Sequence, residues 1–154
     1  MKQSAPLEVG ICVRDAASMV AFYCDVLGCT EVMRAPIPPA ISDPAGMGPD
    51  GFEMIWLQTP WGERLKLLGP PEPPPLPAPA EHLTATAGIA YVTFYCEDLP
   101  AIIERAMAAG ATLLSDPTLQ DSDAMKIAFF RDPEGNAVEL VQRDNIKSYR
   151  PDLN

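Results

Sequence analysis

Asp132-Pro133-Glu134-Gly135-Asn136-Ala137-Val138-Glu139-Leu140 lies near the end of the chain, and it has a looser counterpart in Thr59-Pro60-Trp61-Gly62-Glu63-Arg64-Leu65-Lys66-Leu67. Each is a tight turn followed by an alternating run whose apolar members share one side of an extended chain. Working outward, the text before each turn also repeats. An extended run ending in Asp15 leads into a helical pattern closed by Gly28, and an extended run ending in Asp98 leads into a helical pattern closed by Gly110. The chain therefore reads as a duplicated β-α-β unit. Duplication brings corresponding strands together, so whether this protein has chemistry depends on the polar residues those strands carry.

In the first copy, Val9, Ile11 and Val13 alternate with Glu8, Gly10, Cys12 and Arg14, the period of a strand with one buried face. Asp15 caps a helix whose apolar stripe is Met19, Phe22, Tyr23, Val26 and Leu27, and Gly28 stops it. Cys29 to Ala35 is extended again. Residues 36 to 51, rich in proline and glycine, predict a loop without an ordinary helix or central strand. Around Gly46–Gly51 this loop reads either as a lid or as a long surface connection. Glu53–Gln58 and Arg64–Leu68 read as a hairpin.

The second copy follows the same plan. Ile89–Cys96 is a strand, and Asp98 caps a helix that tolerates Pro100 near its start. Ile102, Ile103, Ala106 and Met107 form the buried face. Thr112–Leu114, Ala124–Arg131 and Asn136–Gln142 are the remaining strands. The predicted organisation is a first module over residues 1–68, a proline-rich linker over 69–87, a second module over 88–142 and a loose polar tail over 143–154, with both modules forming one domain. The linker, which contains Pro73-Pro74-Pro75, reads as a stiff connector crossing between the repeats, or as a ligand for a proline-recognition partner.

A chain of 154 residues is long enough for a real core. Eleven basic against twenty-one acidic residues give a formal charge of −10. That field, with no basic cluster to reverse it, excludes nucleic acid and anionic membranes as partners. No apolar run reaches membrane-spanning length, and the N-terminus does not read as a secretory signal. Cys12, Cys24, Cys29 and Cys96 contain no CxxC, and His82, the single histidine, offers them no obvious base. They read as reduced thiols of a cytoplasmic protein.

Three runs carry a family resemblance: Val9-Gly10-Ile11-Cys12-Val13-Arg14-Asp15, Ala21-Phe22-Tyr23-Cys24-Asp25-Val26-Leu27-Gly28, and Phe130-Arg131 continued through Asp132 to Leu140. Together they resemble the vicinal oxygen chelate superfamily, the group of glyoxalase I, extradiol dioxygenases, methylmalonyl-CoA epimerase, fosfomycin resistance proteins and bleomycin-binding proteins. The similarity extends to about residue 142. It implies an α+β fold, two β-α-β-β-β modules forming a cleft between curved mixed sheets, and a homodimer. The last run marks the fold well and any one activity poorly.

In metal-dependent relatives, the resemblance implies, ligands come from the first and last strands of each module. Counting back from Asp15 and Asp98 gives Glu8 and Tyr91, and the last strands supply Lys66 and Glu139. Alternation puts these four opposite Val9 and Ile11, Leu65 and Leu67, Ala90 and Val92, and Val138 and Leu140, on what should be a cavity face. As a metal set they are poor: Lys66 brings an ammonium, Tyr91 a neutral phenol, and only Glu8 and Glu139 remain as ligands if an ion binds. No cofactor is implied. Two acids, an amine and a phenol instead suit acid–base chemistry, or a neutralised cavity wall whose polar groups satisfy one another. Arg14, Met54, Trp56, Tyr95 and Phe129 are candidates for binding a small-molecule substrate or ligand, and also for plain packing. Two functions stay open. One is a metal-independent isomerase, epimerase, cyclase or lyase acting on a small oxygenated metabolite. The other is a non-catalytic binder of an antibiotic or natural product, whose acidic cleft favours a cationic ligand. A divalent-metal glyoxalase-like enzyme ranks behind both.

Overall fold

The computed structural model describes residues 3–76, 78, 80, 82–116, 119–122 (backbone only) and 124–153. The chain divides into two compact units, Met1–Pro77 and Ala78–Asn154. Both are βαβββ-like and build an open, mixed sheet with a helix on one face, the α+β architecture read from the repeat.

The first unit contains β1 (Glu8–Cys12), α1 (Ala16–Asp25), β2 (Thr30–Ile37), α2 (Pro39–Ser42), β3 (Phe52–Gln58) and β4 (Arg64–Gly69), in the sheet order β1-β4-β3-β2. Only β1 and β4 are parallel. The Asp15 carboxylate accepts from the Ser18 N–H at 3.0 Å, which satisfies an amide that the helix start leaves without a partner. Gly28, at φ 72°, turns the chain out of the helix in a conformation that costs glycine little. Met19, Phe22 and Tyr23 of α1 are buried, as are Ile55, Leu57, Leu65 and Leu67 of the sheet it packs against. Each such side chain contributes about 2 kcal/mol by leaving water.

The second unit contains a short 3₁₀ turn (Leu83–Ala85), then β5 (Val92–Cys96), α3 (Leu99–Ala108), β6 (Thr112–Leu113), β7 (Leu119–Ser122), β8 (Met125–Arg131), β9 (Ala137–Arg143) and α4 (Ile146–Tyr149). The order is β5-β9-β8-β6, with β7 also on β8, and β5 runs parallel to β9. Asp98 repeats the cap, accepting from the Ala101 N–H at 3.2 Å. The two hairpin turns close alike. Thr59 N–H donates to the Glu63 carbonyl, and Asp132 N–H to that of Asn136, both at 2.9 Å. In the second turn the buried Asp132 carboxylate also accepts from the Glu134 and Asn136 amides, which explains why that run reads so clearly in sequence.

Several expectations are corrected. The first strand of the second module starts at Val92, not Ile89. Its parallel partner β9 only emerges from its turn at Ala137, so the ladder opens with Val92 opposite Val138. Ile89 and Ala90 are exposed, and Tyr91 stands one residue before the strand. Met107 is exposed, because it lies about 100° around the helix from the buried Ala106. Strand β7 was not anticipated and makes this sheet five-stranded. Residues 36–51 hold no ordinary helix or central strand, as read, but they do carry the end of an edge strand and one helical turn. Strand β2 runs through Pro36, which an edge strand tolerates, and Pro39 opens the single turn of α2. Gly51 is required there: at φ 73°, a Cβ would come within 2.5 Å of the Ile37 carbonyl oxygen. The segment after residue 143, expected as a loose tail, instead carries α4, whose Tyr149 packs on Tyr95 and Arg143.

Candidate functional site

In each unit the helix covers one sheet face and leaves the other open, so the alternation that buries one set of side chains presents the next set. In the first unit Lys66 lies opposite Gly10 on one side and Trp56 on the other. Its ammonium meets the Glu8 carboxylate at 2.5 Å. Gly10 has no side chain to stand between β1 and this diagonal pair. The Arg64 guanidinium is the second cation near Glu8, at the longer distance of 3.9 Å, and its Nε donates to Gln58 Oε1 at 3.1 Å. Trp56 and Met54 share the face, both half-buried, with Met33 opposite Trp56 on β2. Arg14 does not join them: its guanidinium donates to the Pro74 carbonyl at 2.6 Å and ties the linker to the start of α1.

The second unit has the same layout with different chemistry. Phe129 stands opposite Glu139, the place Trp56 holds opposite Lys66, so the two aromatic residues are equivalent by register. The Tyr91 ring meets Phe129 edge-on, with centroids 5.3 Å apart. Thr93, the counterpart of Gly10, lies directly opposite Glu139, and its hydroxyl donates to Glu139 Oε2 at 2.5 Å. Sequence reasoning missed this threonine. Its signal was available, because aligning the repeats puts Thr93 where Gly10 stands. Tyr95 is turned to the C-terminal segment, its ring 6.1 Å from that of Tyr149, and the Arg143 guanidinium lies 4.4 Å from the Tyr149 centroid. Loss of water, and then Tyr149, raises the Tyr95 phenol above its ordinary value.

The structure thus joins Glu8 with Lys66, Tyr91 with Phe129, and Glu139 with the unforeseen Thr93. It commits Arg14 and Tyr95 elsewhere. The donor set does not fit a metal of the kind the fold implies. Among the described residues, no group of three or more His, Cys, Asp or Glu side chains is placed to hold an ion. At the first module's position the Glu8 carboxylate already faces an ammonium, and a divalent cation there would have to displace it. Among the described residues, no helix is long and apolar enough to cross a membrane.

Comparison with known proteins gives one family description and many solved folds. The model described as "Glyoxalase/Bleomycin resistance protein/Dioxygenase superfamily" matches residues 6–140. A glyoxalase family protein from Bacillus cereus is 24% identical with a TM-score of 0.78, over 93% of this chain and 96% of its own. The trypanothione-dependent glyoxalase I of Leishmania major is 17% identical with a TM-score of 0.67, over 97% and 94%. FosX, the fosfomycin resistance protein of Listeria monocytogenes, solved with Mn(II) and sulfate, is 11% identical with a TM-score of 0.61, over 96% and 99%. At these identities the solved structures speak for the fold alone. Comparison with curated proteins returns no match.

Proposed function

The chain belongs to the glyoxalase/bleomycin resistance protein/dioxygenase superfamily, and from that premise we propose that it is a metal-independent acid–base enzyme of the isomerase, epimerase, cyclase or lyase type, acting on a small oxygenated molecule. The observation that carries this reading is the Lys66 ammonium paired with Glu8 at 2.5 Å, where metal-dependent relatives are expected to offer a ligand. A fixed cation on the open face does electrostatically what a metal does for a developing oxyanion, without a coordination shell. In the second unit, taken by itself, Glu139 is the proposed proton acceptor. Thr93 occupies one of its oxygens and leaves the other for a substrate C–H. Tyr91 donates a proton or a hydrogen bond to the oxygen on which charge develops. Glu8 holds the Lys66 side chain in place.

The capture of a ligand without reaction remains the second reading, supported by the aromatic surfaces of Trp56 and of the Tyr91–Phe129 pair. One experiment separates the two: incubation with a metabolite library, following both affinity and product mass. The enzyme reading predicts a product of altered connectivity or stereochemistry. It also predicts that Glu139→Gln and Tyr91→Phe each lower turnover by about 10²- to 10⁴-fold with the fold retained. A ligand returned unchanged, lost on Trp56→Ala and indifferent to Tyr91→Phe, establishes capture instead.

A further inference from the structure

The open face of the first unit ends in a cavity of about 220 Å³ lined by Ala5, Pro6, Glu8, Gln58, Gly62 and Arg64. We infer that this cavity is a subsite for a carboxylate group, with Arg64 as its anchor. The inference rests on the enzyme reading above and gives its substrate a chemical class.

Three observations lead there. First, Arg64 is oriented but not consumed. Register places it opposite Gln58, and the bond from its Nε to Gln58 Oε1 fixes the guanidinium plane. Its only other partner among the described residues is Glu8, 3.9 Å from Nη1, beyond hydrogen-bonding distance. The remaining N–H groups form the planar edge that binds a carboxylate through two parallel bonds.

Second, Glu8 has a closer cation. Lys66 meets it at 2.5 Å, so the cluster of Arg64, Lys66 and Glu8 carries one net positive charge on a chain whose formal charge is −10. The acidic total pointed to a cationic ligand, whereas the local balance points to an anionic one. The contact between Arg64 and Glu8 does not compete strongly, since both side chains are about one-third exposed and such pairs are weak.

Third, size and lining agree. At about 30 Å³ per water-sized group, the volume takes roughly seven heavy atoms. Ala5 and Pro6 offer an apolar wall for a short carbon chain beside the charged end.

Butyrate is the probe, with butyramide as its neutral isostere, and the readout is NMR of the Arg64 Nε–H and the Gln58 side-chain amide in the intact protein. The inference predicts that butyrate shifts both signals saturably and that butyramide does not. Arg64→Met should weaken butyrate binding about ten-fold or more, and Arg64→Lys should restore part of it. Equal binding of butyramide, or butyrate binding unchanged in both variants, overturns the subsite. Because the readout is binding, the two proposals fail separately. Butyrate held at Arg64 with no turnover of any library member upholds the subsite and removes the enzyme. Butyrate binding indifferent to Arg64→Met, together with turnover of a library member, removes the subsite and leaves the enzyme.

Discussion

At the scale of the residue, burial governs the four thiols. Cys29 is buried and its pKa is pushed up to about 12, and burial lifts Cys96 to about 11 and raises Cys24 as well, whereas Cys12 is exposed. The thiolate is the reactive form. Iodoacetamide at pH 8 should therefore label Cys12 first, with Cys29 and Cys96 about ten-fold slower or more until the protein is unfolded. Peptide mass spectrometry reads this directly, and equal labelling of Cys29 and Cys12 in the folded protein would contradict it. The same shifts carry a sign for stability. Above the ordinary thiol value of 9.0, the unfolded chain releases protons that folded Cys29 and Cys96 still hold, so the unfolded state binds fewer protons. Their contribution is complete below pH 9 and is lost as pH rises toward 11 and 12. Urea midpoints should fall across that window, and Cys29→Ala should flatten the fall.

Which residues were legible in the sequence follows from the range of the interaction. The face shared by Glu8 and Lys66 came from two short counts, the strand period and the distance to a helix cap. The position of Thr93 was open to the same count, five residues before Asp98 as Gly10 is before Asp15, but its bond to Glu139 was not, because that partner is 46 positions away and meets it only through the parallel pairing of β5 with β9.

At the scale of the element, local chemistry decided what was readable. Both helix caps, both glycine stops and both hairpin turns rest on bonds within a few residues, and each was foreseen at or near its observed place. Asp98→Ala should cost about 1 kcal/mol, seen as a lower urea midpoint with an unchanged slope, and Asp98→Asn should retain most of the stability. An unaffected midpoint in Asp98→Ala would mean that the cap bond contributes nothing. The elements that were missed depend on distant partners. The start of β5 is set by where β9 leaves its turn, β7 exists through pairing with β8, and α4 is held by rings and a guanidinium from β5 and β9. Nothing in the polar sequence after residue 143 announces that Tyr149 has a place to go.

At the scale of the whole molecule, duplication has supplied two copies of one layout, and divergence has given them unlike chemistry. The first unit carries the cations, Lys66 and Arg64, around Glu8, and the second carries an acid, Glu139, with a phenol and aromatic rings nearby. Among the described residues no group of three or more His, Cys, Asp or Glu is placed to hold an ion, and in the proposed chemistry a lysine takes a metal's part. The decisive measurement is turnover of a substrate from the library screen by exhaustively chelated protein, alongside elemental analysis and the Lys66→Met variant. The account predicts full turnover with less than stoichiometric metal, and a loss of about 10²- to 10³-fold in Lys66→Met. Activity that vanishes on chelation and returns with a divalent ion, while Lys66→Met remains active, would contradict it.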